Sequence, residues 1–215
     1  MLDRFKDFWQ GVVLMPFVKL FIKLGISPDA VTLVGTLGVV VGALAFFPRG
    51  ELFWGVLFIT AFVFSDLIDG KMARMLERKS RFGAFWDSTL DRIGDGAIFG
   101  GLALYFAGPG DDYLYLCVAL WCLVMGSVTS YARARAESLG MDAKGGLAER
   151  ADRLVAILVM TGLGALLDLP ILMYVALWAL AAASAYTVVF RVLKVYRQAA
   201  VLDGDLDAGE KPPAA

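Results

Sequence analysis

Four aspartates, Asp66, Asp69, Asp87 and Asp91, stand in two pairs in the segment DLIDGKMARMLERKSRFGAFWDSTLD. At about 100° per helical residue, Asp66 and Asp69 lie roughly 60° apart and Asp87 and Asp91 roughly 40° apart, so each pair shares one face of its helix. If the two helices are antiparallel neighbours, as their short connection implies, the four carboxylates converge. One ionised carboxylate at the centre of a bilayer costs about 2.5–3.5 kcal/mol even on lenient insertion scales, so such a cluster calls for cations. Hard oxygen donors select Mg²⁺, Mn²⁺ or Ca²⁺, and a chain with no histidine and no paired thiolates offers little to zinc. Two divalent ions on four carboxylates clamp a pyrophosphate and stabilise the phosphate that leaves in an in-line displacement, which is phosphoryl-transfer chemistry. Without histidine, proton transfer also falls to carboxylates.

Small residues are interleaved with the acids. Gly70, Ala73 and Gly83 leave room for a nucleotide against the helix backbones, and Arg74, about 40° round from Gly70, faces the same space. The plainer alternative is small-residue helix packing, the role expected of Gly35, Gly38, Gly42 and Ala45. For the aspartates, the alternative is a solvated helix end balanced by Lys71, Arg74, Arg78, Lys79 and Arg81. Scattered surface charges would not repeat a same-face pair on two consecutive helices.

The elements that position these groups are apolar. Of 215 residues 59% are hydrophobic and 19% charged, and the mean hydropathy is +0.69. The pattern predicts an all-α integral membrane protein with six transmembrane helices: Val31 to Phe47, Leu52 to Met72, Thr89 to Phe106, Tyr113 to Ala134, Leu154 to Leu167 and Ile171 to Val195. Turn-rich breaks such as Phe47-Pro48-Arg49-Gly50, Gly108-Pro109-Gly110 and Asp168-Leu169-Pro170 fit hairpin tips. Six crossings place every lysine and arginine except Arg49 on one side, so both termini and the aspartates are expected in the cytoplasm, at the cell membrane. A net charge of −1 gives no reason to expect nucleic acid.

Residues 1–24 mix charges with Phe5, Phe8, Trp9, Phe17 and Phe21 and read as an interfacial amphipathic helix; Pro16 and the charges interrupt the apolar run a signal peptide needs. Residues 25–198 form the membrane domain, and 199–215 read as a disordered polar tail. Cys117 and Cys122, five residues apart on one helix, read as small hydrophobes.

The aspartate segment resembles the signature of the CDP-alcohol phosphotransferases, D-x-x-D-G-x-x-A-R, eight residues, then G-x-x-x-D-x-x-x-D. Asp66, Asp69, Gly70, Ala73, Arg74, Gly83, Asp87 and Asp91 fill every specified position. The resemblance implies a homodimer of six-helix subunits whose polar cavity holds two metal ions, Mg²⁺ by default with Mn²⁺ as the alternative. It implies that Asp66, Asp69 and Asp87 hold metal. Asp91 would hold metal and take the proton of an acceptor hydroxyl that attacks the donor's β-phosphorus, so that CMP leaves. Gly70, Ala73, Arg74 and Gly83 would line the CDP site. SPDAVTLVG resembles the family's nucleotide-side element, adding Pro28, Asp29 and Thr32; equally, Ser27 to Asp29 read as a helix cap with proline in the first turn.

The acceptor is read from the basic residues at the same depth. Arg133, Arg135, Arg150, Arg153 and Arg191 sit at helix ends near the aspartates, and guanidinium forks suit phosphate. The positive-inside bias accounts for any one of them alone; together they favour an acceptor carrying its own phosphate. Their segments resemble the actinobacterial phosphatidylinositol phosphate synthases, which implies CDP-diacylglycerol and inositol 1-phosphate as substrates. The alternative is a phosphatidylglycerophosphate synthase using glycerol 3-phosphate. A cation-coupled transporter is the reading from another class, and the four motif aspartates lie near one boundary rather than at the midplane such a carrier needs. Asp95, one turn deeper than Asp91, is the one carboxylate that fits a carrier better; it reads otherwise as a group behind the metal-binding aspartates, and it is left unassigned.

Overall fold

The computed structural model describes residues 15–63, 65–76, 80–147 and 149–209. It contains α1 (Met15–Lys23), α2 (Pro28–Phe46), α3 (Leu52–Val63), α4 (Ser65–Met75), α5 (Arg81–Ala107), α6 (Tyr113–Ser138), α7 (Arg150–Leu166) and α8 (Ile171–Gly209), with a 3-10 turn at Phe47–Arg49. Among the described residues there is no strand. Most of the interfacial segment expected over 1–24 lies outside the described residues, α1 being the part that is seen.

Local chemistry sets the helix starts. Ser27 caps α2 by accepting from the Ala30 N–H, with Pro28 in the first turn where its missing N–H costs nothing. Ser80 caps α5 through the Gly83 N–H at 2.8 Å, and Asp112 caps α6 through the Leu114 and Tyr115 N–H groups. Gly50 turns the chain into α3 at φ +82°.

Three stretches are long and apolar enough to cross a membrane, Pro28–Arg49, Tyr113–Ser138 and Ile171–Asp203, while Leu52–Val63 is apolar but shorter. The second crossing, expected from Leu52 to Met72, is helical over Leu52–Val63 and Ser65–Met75, with residue 64 outside the described set. The first half of α5 carries Asp87, Asp91, Arg92 and Asp95, so only its second half is uniformly apolar. At the other end, α8 stays helical to Gly209, beyond the boundary at 199 expected for a disordered tail; Gln198, Ala199, Ala200 and Leu202 are good helix formers that let it continue. Large apolar side chains stand exposed on the outside, among them Val34, Leu37 and Val41 on α2, Trp121 and Val124 on α6, and Val175, Trp178 and Val189 on α8. Faces this apolar require lipid, and the chain is a membrane protein.

Six helices close a ring in the spatial order α2, α5, α6, α8, α7, α3, with α4 laid against α2. The ring is filled by one core in which Phe47, Phe99, Ile98, Leu102, Ile157 and Leu177 are fully buried. At one end Phe106, Tyr115 and Tyr174 stack, the two tyrosine rings 4.1 Å apart, joining α5, α6 and α8. Where helices approach most closely, side chains are absent. A Cβ on Gly38 would fall 2.1 Å from the Phe62 ring and one on Gly42 2.8 Å from Ile59, so these glycines pack α2 on α3 as the sequence suggested.

Gly101 is the sharpest case, because its Cβ would meet backbone: the Ala43 carbonyl oxygen at 2.7 Å. Gly100, one residue earlier, has nothing within 4 Å. Gly101→Ala is therefore expected to destabilise by about 1–3 kcal/mol, as overpacking does. Gly100→Ala is expected to be neutral or to stabilise slightly. Thermal unfolding of the two variants in detergent checks this, and equal melting temperatures would contradict the close α2–α5 approach.

Candidate functional site

Asp87, Asp91 and Asp95 descend α5 one turn at a time, from exposed through half-buried to buried. The start of α5 is fixed against the start of α2. The Trp86 Nε1–H donates to the Asp29 carbonyl at 3.3 Å, and a Cβ on Gly83 would stand 3.3 Å from Asp29 Oδ1. Pro28 and Asp29 thus lie beside Gly83. Thr32 is buried and donates its hydroxyl to the Pro28 carbonyl.

Also packed against α2 is α4, which carries Asp66, Asp69, Gly70, Ala73 and Arg74. Ile68 and Met72 seat it on Val31 of α2 and Val18 of α1. The side chains of Asp66, Asp69 and Ala73 lie outside the described residues, and Arg74 is exposed. Gly70 has nothing within 4 Å of the position a Cβ would take. Glycine in a helix costs roughly 0.5–1 kcal/mol relative to alanine, and none of the described residues packs against this one. Among the described residues no three carboxylates gather; α4 and α5, the two helices that carry the aspartate motif, both pack against α2.

Below Asp91 opens a cavity of about 760 Å³. Four of the five arginines singled out in the sequence line it, Arg133, Arg150, Arg153 and Arg191, together with Arg92, Asp91, Glu137 and Glu149. Arg135 does not; it is exposed and its guanidinium reaches Ser138. Arg150 spans two carboxylates, Nη1 at 2.9 Å from Asp91 Oδ1 and Nε at 3.1 Å from Asp95 Oδ1. Arg153, with 1% of its surface exposed, donates from Nη2 to Asp95 Oδ2 at 3.1 Å. Arg133 pairs with Glu137 one turn on. Five arginines against three carboxylates in the lining, with Asp95 just behind them, leave a small positive excess that favours an anion.

The loop wall that follows α6 has no counterpart in the sequence reading: residues 139–147 are laced down one face of α8, where of their partners only Arg191 lines the cavity. Leu147 N–H donates to Thr187 Oγ1, Arg191 Nε to the Gly145 carbonyl, Lys194 Nζ to the Lys144 carbonyl and to Asp142 Oδ2 at 2.7 Å, and Gln198 exchanges two bonds with the Asp142 backbone. Gly146, at φ +122°, admits Thr187 where a Cβ would lie 2.3 Å from its methyl carbon. Arg191 also donates from Nη1 to the Thr129 carbonyl at 2.7 Å, so it builds the wall as well as facing the cavity. The signal was available: Thr187, Arg191, Lys194 and Gln198 recur at spacings of four, three and four.

The Lys194 ammonium holds the Asp142 carboxyl below its usual range, helped by the Lys144 backbone N–H. A depressed folded-state pKa contributes stability that is present above the unfolded value, about 3.9, and is lost as the pH falls through the folded one. Protection of the Lys144 and Leu147 amides from hydrogen exchange, corrected for intrinsic rates, is therefore expected to hold from about pH 8 to pH 5 and to fall only in acid. Asp142→Ala is expected to lower it throughout. Loss of protection above pH 5 would assign the clasp to another group.

The chain is similar to known proteins in sequence and in fold. The sequence model of the CDP-alcohol phosphatidyltransferase family matches residues 25–189. The phosphatidylinositol phosphate synthase of Streptomyces avermitilis is 51% identical over 209 residues, covering 94% of this chain and 86% of that protein. The crystal structure of Mycobacterium tuberculosis phosphatidylinositol phosphate synthase with CDP-DAG bound superposes with a TM-score of 0.82 at 40% identity, covering 86% of this chain and 94% of that one. The same enzyme in complex with manganese and citrate gives a TM-score of 0.82 at 40% identity over 86% and 89% of the two chains. The chain with its aspartates on two helices and its arginine-lined cavity belongs to the CDP-alcohol phosphatidyltransferase family.

Proposed function

We propose that the protein transfers the phosphatidyl group of CDP-diacylglycerol to inositol 1-phosphate, giving phosphatidylinositol phosphate and CMP. The observation that carries the reading is the position of Asp91 at the edge of a cavity lined by Arg133, Arg150, Arg153 and Arg191. A carboxylate able to accept a proton stands beside a site built for a phosphate, so the acceptor is an alcohol that brings its own phosphate to the base. About 760 Å³ is within the range of small-molecule sites. The shared identity with phosphatidylinositol phosphate synthases supports inositol over glycerol as the alcohol.

In this reading the acceptor phosphate is gripped by the arginines, which leaves one ring hydroxyl turned to Asp91. Asp91 takes its proton as the oxygen attacks the β-phosphorus of the donor; a new P–O bond forms, the pyrophosphate P–O bond breaks, and its electron pair leaves with CMP. Gly70, Ala73, Arg74 and Gly83, with Pro28, Asp29 and Thr32, form the donor side. Asp66, Asp69, Asp87 and Asp91 would hold two divalent ions, Mg²⁺ or Mn²⁺, and the all-oxygen donor set and the open space at Gly70 fit that use. Bound there, the ions supply charge neutralisation at the pyrophosphate. The manganese in the mycobacterial structure supports divalent metal as the cofactor.

The same reading places residues 25–198 as a membrane domain of six crossings, with both termini and the site on the cytoplasmic face of the cell membrane, working as a homodimer. The distribution of basic residues, with Arg49 alone on the far side, supports that topology.

The test is CMP release by the purified protein with CDP-diacylglycerol and Mg²⁺, comparing inositol 1-phosphate, free inositol and glycerol 3-phosphate. Release only with inositol 1-phosphate is expected. Preference for glycerol 3-phosphate would move the protein to the phosphatidylglycerophosphate synthases, and no release with any acceptor would refute the reaction. Asp91→Asn is expected to lower kcat by at least about 10²-fold, the low end for a removed general base, with the melting temperature retained; wild-type turnover would remove Asp91 from the proton transfer.

A further inference from the structure

Asp95 lies outside the aspartate motif, and its surroundings give it a task. It sits mid-way along α5 with 6% of its surface exposed, next to Gly94, Gly96, Ala97 and Ile98. A carboxylate in such a place is costly unless it is paired. Both partners come from the first turn of α7, one on each oxygen: Arg150 Nε on Oδ1 and Arg153 Nη2 on Oδ2, each at 3.1 Å. Arg92 Nη2 stands 3.7 Å from Oδ2 on the same helix as Asp95. Arg150 and Arg153 both line the cavity, so one buried carboxylate holds two of the guanidiniums that face the acceptor.

A purely structural ion pair is a poor explanation, because replacing a buried pair with apolar side chains of similar volume is often neutral or stabilising. What this pair provides is geometry. Arg153 lies flat on α6 at Gly126, where a Cβ would stand 3.3 Å from Nε and 3.5 Å from Cζ. Arg150 is held by Asp95 through Nε, with Nη1 at Asp91. Without the inner carboxylate, Arg92, Arg150 and Arg153 would repel one another around Asp91 alone, and Arg150 would lose the anchor that sets its plane. Groups held in place before binding spare the complex the cost of ordering them.

We propose that Asp95 is a positioning residue for the acceptor site: it presets Arg150 and Arg153 as a phosphate clamp beside Asp91. This rests on the reading of the cavity as the acceptor site. The effect runs through binding of the acceptor phosphate and leaves the donor side and the proton transfer largely alone.

The test is steady-state kinetics of Asp95→Asn with both substrates varied, alongside its melting temperature in detergent. The wild-type enzyme assayed with inositol 1-phosphate and glycerol 3-phosphate first settles which phosphorylated alcohol is used, so failure of that reading is seen separately. With that acceptor, Asp95→Asn is expected to raise the acceptor KM about 10- to 100-fold, the worth of a hydrogen bond between charged groups. The KM for CDP-diacylglycerol is expected to stay within about twofold and kcat within about threefold. An unchanged acceptor KM in the folded variant, or equal rises in both KM values, would overturn the proposal. Should Asp95→Asn fail to fold, Gly126→Ala decides: its methyl group presses on Arg153 from the other side, so a selective rise in acceptor KM supports the clamp and wild-type kinetics refutes it.

Discussion

The contact between Asp95 and Arg153 ties together parts of the molecule that share no neighbouring sequence. Both charges are almost wholly buried, one on α5 and one on α7, helices that are not adjacent in the ring. In apolar surroundings neither can be left alone, since removing one partner of such a pair typically costs about 3–5 kcal/mol. The pair therefore fixes the rotation of α7 about its own axis and its height against α5. Gly126 on α6 completes the arrangement by leaving space for the guanidinium. Once these three helices are set, Arg150, one turn earlier on α7, falls between Asp91 and Asp95 without further adjustment.

Helical periodicity groups Asp66 with Asp69 and Asp87 with Asp91, and the expected metal site rests on that spacing. The arginines were singled out by charge: Arg133 and Arg135 lie near the end of α6 and Arg150 and Arg153 open α7, whereas Arg191 lies in the middle of α8. The case of Arg135 shows where that argument stops. At two residues' distance it lies about 200° round the helix from Arg133, so the two cannot face one cavity. The periodicity that paired the aspartates separates these arginines.

What the sequence concealed is long-range or depends on main-chain partners. No local pattern pairs Asp95 with Arg150 and Arg153, more than 50 residues away. Arg191 faces the cavity and also bonds to the Thr129 and Gly145 carbonyls, partners that no local pattern foretells.

The two halves of the catalytic face rest on foundations of different kinds. The acceptor half is framed by α5, α6 and α8, joined at one end by stacked aromatic rings and at the other by buried guanidiniums. The donor half includes α4, which is seated on α1 and α2 through the small cluster of Val18, Val31, Ile68 and Met72. Displacing α4 disturbs a few apolar contacts; displacing α7 would strand buried charge. If the proposed reaction holds, a long lipid-linked donor would meet the side seated by apolar contacts, and a small polar acceptor the side braced by buried charge. Tolerance of varied acyl chains and discrimination among alcohols would then be separate mechanical properties of one ring of helices.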